Sequence, residues 1–151
     1  MSRHSDTEEL EARKRASVGQ LLLRTARRFN ERALARLRTR HPDLRPAHVQ
    51  LFAYLDADGT RQTELARRAG ISKQAVGQLV TDLIDAGVLA RVADPSDRRA
   101  HRVRLTRRGE RTVAEGLTVL EQIERELAAE LGTALLARLR RDLTRLDRGL
   151  G

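Results

Sequence analysis

The segment VLARVADPSDRRAHRVRLTRRG, residues 88 to 109, constrains the fold of this chain more than any other. It alternates apolar and polar residues on both sides of Asp94-Pro95, a period of two that belongs to paired strands and not to a helix. Pro95 presets its own backbone angle, and the Asp94 side chain can bond the chain just beyond it. The strands therefore fold back as a hairpin that carries Asp97, Arg98 and Arg99 at its tip. On one parity stand Val88, Ala90 and Val92, then His101, Val103 and Leu105, with His101 expected to pack inward; Arg102 and Arg104 take the opposite face. Eight arginines between Arg91 and Arg111 stand against only Asp94, Asp97 and Glu110. A solvated surface ordinarily mixes its signs, and this hairpin does not.

The hairpin follows directly on a helix, turn and helix in residues 60 to 87. Thr60 is expected to cap a first helix that carries Leu65, Ala66 and Ala69, and Gly70 supplies the left-handed residue that ends it. Ser72 caps the next helix, in which Val76, Leu79, Val80, Leu83 and Ile84 recur at helical spacing. Lys73, Gln74, Gly77, Gln78 and Thr81 are left on its outer face, and Gly87 closes it. A helix-turn-helix joined to a basic hairpin describes a reading head that lays its second helix into the major groove of duplex DNA.

Composition narrows the partner. The 151 residues suit one domain with a real core, and a formal charge of +9 favours a polyanion, nucleic acid before an anionic membrane surface. Only Lys14 and Lys73 of the 30 basic residues are lysine; arginine suits bidentate contacts to phosphate and guanine. The absence of cysteine excludes disulfides, thiolate zinc sites and thiol redox sensing. Aromatics at 2% leave no stacking platform for single strands or RNA. No apolar run suits a membrane span and the first residues are too polar for a signal peptide, so a soluble, cytoplasmic protein is expected, with no cofactor, metal or membrane partner.

The rest of the chain reads as helices around this head. Residues 1–15 lack apolar periodicity and are expected to be flexible. Residues 16–45 hold one long helix with Leu22, Ala26, Phe29, Ala33 and Leu37 as its stripe, then a break at Pro42 and Pro46. Residues 46–108 form the winged helix-turn-helix, opening with a helix from Pro46 to about Asp56 that turns Val49, Phe52 and Leu55 inward. In residues 109–151 two further leucine stripes, Leu117 to Leu131 and Leu135 to Leu150, are longer than one small domain can bury. The fold class expected is mainly α (α+β), a winged helix-turn-helix with long N- and C-terminal dimerisation helices, the simplest cover for the stripes being a second copy.

The run TELARRAGISKQAVGQLVTDLIDAGVLARVADPSDRRAHRVRLTRRG resembles the winged helix-turn-helix of the MarR family of bacterial transcription regulators, above all in D-P-x-D-R-R followed by L-T-x-x-G. The similarity spans roughly residues 18 to 147. It implies a homodimer held by the terminal helices, a pseudo-palindromic operator, and release by a small, frequently aromatic effector. Carried over position by position, the resemblance places Asp97 and Arg99 on the wing's Asp-x-Arg, in which the Asp orients an Arg directed at the minor groove. Arg98 is a second candidate there. It also aligns Ser72, Lys73, Gln74, Gln78 and Thr81 with groove-facing positions. Lys73 would meet phosphate at the helix start, and Gln74 and Gln78 can pair with adenine N6 and N7. Gly77-Gln78 departs from the family's frequent Thr-Arg or Ser-Arg, which puts an arginine-to-guanine contact from position 78 in doubt. Gly77 costs about 1 kcal/mol relative to Ala in mid-helix, and it reads either as a close approach to DNA or as a tolerated surface glycine.

Arg61, Gln62 and Arg67 on the flank, with Arg102 and Arg104 on the wing, are candidate phosphate contacts that would act on affinity and not on sequence choice. An effector pocket is expected where the long N-terminal helix and the helix after Thr106 meet the reading head, with Arg24, Arg28, Phe29 and Tyr54 as lining candidates. His41 and His48 straddle the two prolines, where a metal or effector site competes with ordinary loop histidines. No H-E-x-x-H or phosphate-binding glycine loop is present, so an enzyme is not expected. The function read from these residues is a sequence-specific, ligand-responsive repressor, and the competing reading is a non-specific architectural DNA-binding protein.

Overall fold

The computed structural model describes the backbone of residues 3–151 and the side chains from Asp6 onward, other than that of Arg98. It opens with a helix, Arg3–Ala16 (α1), in a segment for which the sequence supplied no helical periodicity. The segment has no apolar face to bury, but its Glu, Ala, Arg and Lys residues are good helix formers, and Lys14 pairs with Glu11 at 2.8 Å. Ser17 then accepts the Gln20 N–H at 3.3 Å and caps Val18–Leu37 (α2). Only the far end of the α2 stripe, Ala33, Leu34 and Leu37, is buried.

Pro46–Phe52 (α3) starts where its proline requires but stops one turn short of Asp56. The cause is Thr60. Its hydroxyl donates to the Asp56 carboxylate at 3.1 Å and accepts the Asp56 N–H at 2.9 Å, which bends residues 53 to 59 into a turn. Thr60 is therefore no helix cap: Thr60–Arg61 (β1) is a short strand, and Gln62–Ala69 (α4) follows without a side-chain cap. Gly70, in the left-handed conformation at φ 65°, ends α4, and Ser72 caps Lys73–Asp85 (α5) by accepting the Ala75 N–H at 3.1 Å.

The wing is Leu89–Asp94 (β2) and Asp97–Leu105 (β3), and with β1 it makes an antiparallel sheet in the order β1-β3-β2. Its register corrects the expected shared face. Leu89 pairs with Leu105, Arg91 with Val103 and Ala93 with His101, whereas Ala90 and Val92 stand opposite Arg104 and Arg102. Residues directly opposite one another share a face, so the two apolar parities lie on different sides of the sheet. His101, expected inward, is exposed beside Ala93 beyond the edge of the core. The alternation of each strand was readable; the offset between them was not.

Leu51, Leu65, Val76, Val80, Leu83, Leu89 and Val103 form the core, joining α3, α4, α5 and the sheet. Arg107–Leu131 (α6) and Thr133–Leu150 (α7) extend from it. α7 has no buried residue, and Leu135, Leu139, Leu143, Leu146 and Leu150 all stand exposed.

One joint ties these parts together. The Val88 N–H donates to the Leu83 carbonyl at 2.8 Å, closing α5, while the Val88 carbonyl accepts the Thr106 N–H at 3.0 Å. The Thr106 hydroxyl donates to the Gly87 carbonyl at 2.7 Å and accepts the Gly109 N–H at 3.0 Å, so it caps α6 and holds the end of α5 at once. Gly109 lies against this joint: a Cβ there would fall well inside van der Waals contact of the Val88 carbonyl oxygen. The L-T-x-x-G pattern is thus a packing requirement of the backbone. Gly109→Ala is expected to destabilise the fold by about 1–3 kcal/mol or more through overpacking, measured by urea unfolding; an unchanged midpoint would contradict the joint's role.

Candidate nucleic-acid interface

The face of α5 turned away from the core carries Lys73, Gln74, Gln78 and Thr81, all exposed, with Gly77 half-buried among them. Val76, Leu79, Val80 and Leu83 occupy the buried face, as the helical spacing requires. Ser72 is committed to its cap. Thr81 donates its hydroxyl to the Gly77 carbonyl at 3.0 Å and keeps only acceptor capacity outward. Nothing lies within 4 Å of a Cβ built on Gly77, so packing within the chain supplies no reason for a glycine there.

Across the turn Pro95-Ser96, Asp94 pairs with Asp97, but one step on Ala93 already pairs with His101. Arg98, Arg99 and Ala100 therefore form a bulge that leaves the ladder. The Asp97 carboxylate accepts the Arg99 backbone N–H at 3.0 Å, which shapes the bulge from which Arg99 projects. Arg99 is exposed and has no acidic partner among the described residues. The Arg98 side chain, also a candidate, lies outside those described.

The carboxylate that does gather arginines is Asp94, taken from the sequence only as a turn residue. Its side chain is fully buried. It accepts Arg61 Nε at 2.5 Å, Arg102 Nε at 3.1 Å, and the Ser96 hydroxyl and N–H at 2.7 and 2.9 Å. Register explains the gathering, because Arg61 pairs with Arg102 and Val92 with Arg102, so Arg61, Arg102 and Asp94 stand on one face. The Arg61 guanidinium and the Ser96 bonds hold the Asp94 carboxyl far below the usual carboxylate range. Arg102 also reaches Asp58 at 3.1 Å.

These ion pairs divide the candidate cations. Arg61 and Arg102 pair with Asp94, and Arg67 pairs with Glu64 at 2.6 Å. Lys73, Arg99 and Arg104 are exposed and without an acidic partner among the described residues. Gln62 is half-buried at the start of α4. Asp94→Ala is expected to lower the melting temperature by several degrees and to speed amide exchange in residues 94–102, because it strips both arginines and the turn of their common acceptor; unaltered exchange there would show that Asp94 does not hold the wing.

Behind α5 lies a cavity of about 340 Å³ between the loop after α2, α3 and the start of α6. Its wall includes Arg40, His41, Arg45, His48, Asp82, Arg108 and Thr112. The sequence placed a pocket at this junction but with a different lining. Arg24 and Arg28 are exposed on α2 and do not line it, Phe29 faces an apolar groove between α2 and α7, and Tyr54 borders a third cavity beside Val49 and Leu120. The four lining candidates are not brought together, because Arg24 and Arg28 sit several turns from the end of α2 that reaches the reading head.

His41 and His48 do share the cavity, though no cluster able to hold a metal occurs among the described residues. His41 Nε2 lies 3.0 Å from Glu115. His48 Nδ1 accepts the Arg45 N–H at 3.2 Å, and its Nε2 lies 3.1 Å from the Arg45 guanidinium and 3.5 Å from Asp82. Burial first, and then the Arg45 charge, pushes the His48 imidazole below its ordinary pKa, against the opposing pull of Asp82. A lowered folded-state pKa means that the unfolded chain binds the proton more readily, so this contribution to stability is complete above about pH 6.5 and lost as pH falls below it. His48→Gln is accordingly expected to flatten the decline in unfolding free energy between pH 7.5 and 5.5, read by urea titration.

Asp82 was not singled out from the sequence, although its spacing of four from Gln78 on one helix was a readable signal. Gln78 Nε2 donates to Asp82 Oδ1 at 2.9 Å, and the other Asp82 oxygen bridges to Arg45. The cavity wall and the outer face of α5 thus share one carboxylate.

Comparison with known proteins agrees with this geometry. A family model described as MarR family matches residues 43–100. The transcriptional regulator HosA of Escherichia coli O111:H- is 26% identical over 106 residues, 70% of this chain and 78% of that protein. The transcriptional repressor CouR bound to a 23-mer DNA duplex is 30% identical, with a TM-score of 0.69 over 87% of this chain and 92% of that one. CouR from Rhodococcus jostii RHA1 bound to p-coumaroyl-CoA gives a TM-score of 0.67 at 22% identity, again over 87% and 92% of the two chains.

Proposed function

This chain belongs to the MarR family of transcription regulators, and from that premise we propose that it is a ligand-responsive repressor that binds a pseudo-palindromic DNA operator as a homodimer. The observation that carries the reading is an exposed polar face on the second helix of a helix-turn-helix, followed in the chain by a wing with a cationic bulge. An α5 face of Lys73, Gln74 and Gln78 can enter a major groove, and the bulge carrying Arg99 can reach the minor groove beside it. Lys73 neutralises phosphate near the start of α5; Gln74 and Gln78 read base edges. A narrow minor groove concentrates negative potential, which the Arg99 guanidinium exploits without reading individual bases. Arg104 adds a phosphate contact from the wing, whereas Arg61, Arg67 and Arg102 support the scaffold through their carboxylate partners.

The exposed leucines of α7 support the dimer, since a row of exposed leucines along one helix seeks cover. The cavity behind α5 supports the effector. At about 340 Å³ it lies at the small end of ligand sites, and its wall reaches the reading helix through Asp82 and Leu83. No described helix is long and apolar enough to cross a membrane, and the protein acts in the cytoplasm on DNA without catalysing a reaction.

Selection of genomic fragments followed by footprinting tests the reading. A discrete protected palindrome occupied by two copies is expected, and uniform weak protection would replace it with a non-specific architectural binder. On the selected operator, Arg99→Ala is expected to weaken binding about tenfold or more. Lys73→Ala should reduce affinity for all duplexes alike and make the slope of log affinity against log salt shallower by about 0.9.

A further inference from the structure

The geometry points to Asp82 as the residue that sets which base Gln78 reads, a specificity role that rests on the repressor reading above. A glutamine amide presents a carbonyl on one side and two N–H groups on the other, and its terminal torsion lets it turn either edge outward. Unrestrained, it can offer both N–H groups to guanine, whose major-groove edge shows the acceptors O6 and N7. It can equally offer one N–H and its carbonyl to adenine, whose edge shows the acceptor N7 and the donor N6–H. Asp82 removes this freedom. Its Oδ1 accepts one N–H of Gln78 Nε2 at 2.9 Å from a position one helical turn further along α5. One N–H and the carbonyl remain for the groove, the pattern complementary to adenine. With one hydrogen already committed, the guanine arrangement lacks its second donor, and the Gln78 carbonyl would face the guanine O6.

The hold on the amide is only as firm as the carboxylate that makes it. The second oxygen of Asp82 is bridged by Arg45, at the start of α3, and lies 3.5 Å from His48 Nε2. Asp82 is thereby anchored from the core side, not free to swing with the side chain it orients. Arg45 also offsets its charge, which eases the approach of a carboxylate to the phosphate-lined groove. Asp82 is a positioning residue: it touches no base and acts through Gln78.

A randomised duplex library, bound and sequenced in parallel with wild type, Asp82→Ala, Gln78→Ala and the double variant, tests this role. Wild type is expected to enrich adenine over guanine at one position in each half-site. Asp82→Ala should lower that ratio roughly tenfold at that position alone, with the salt slope unchanged. In the Gln78→Ala background, Asp82→Ala should leave the profile as Gln78→Ala made it. Arg45→Gln, which loosens the anchor, should lower the same ratio by less than Asp82→Ala does and leave the other positions unchanged, whereas a merely structural effect would weaken every position alike. An Asp82→Ala profile identical to wild type, or a uniform loss at every position, overturns the assignment and leaves the repressor reading intact. A wild type that enriches no sequence overturns both.

Discussion

The approach of Gly109 to the Val88 carbonyl is the constraint on which the rest of this structure depends. Four elements end or begin within a few residues of it: α5 closes on Val88, β2 leaves from it, β3 returns to it through Thr106, and α6 starts beneath the same hydroxyl. A side chain at position 109 would force them apart. Because Thr106 serves both as the α6 cap and as a donor to the end of α5, the direction of the long helix and the placement of the reading helix are set together. The wing has little freedom relative to α5, which lets two short elements act as one surface.

Charge on that surface is organised by a buried acid. A chain rich in arginine could present an undifferentiated positive face, attracting any polyanion and selecting none. Asp94 tempers this by pairing with Arg61 and Arg102 in a shared set of hydrogen bonds beneath the wing, while Glu64 pairs with Arg67 and Arg68. Lys73, Arg99 and Arg104 remain available. Fewer free cations would lower the salt-dependent, sequence-independent part of any binding to a polyanion.

A second acid links the reading face to the interior. Asp82 belongs to the wall of the cavity behind α5 and, through Gln78, to the outer face of the same helix. Whatever alters Arg45 or His48 therefore acts on a side chain one hydrogen bond away from Gln78 on the outer face of α5.

Much of this was legible in the residues themselves. Helical spacing placed Lys73, Gln74, Gln78 and Thr81 opposite Val76, Leu79, Val80 and Leu83, and the structure keeps them there, because a period of 3.6 is a local property of the backbone. Asp94-Pro95 located the wing's turn for the same reason. What local pattern could not supply was the meeting of residues distant in sequence. The offset of β2 on β3 put Val92 beside Arg102 and His101 in solvent, and the pairing of β1 with β3 brought Arg61 to Asp94 and turned Thr60 from a cap into a strand residue. The separation of Phe29 from Tyr54 likewise depended on how α2 lies across the head. Sequence alone determined the elements, their faces and the surplus of positive charge, all of which arise from near neighbours. Tertiary structure decided which cations are neutralised, which acids orient them and where a cavity opens, because hydrogen bonds and ion pairs form between whichever groups the packed core brings within about 3 Å.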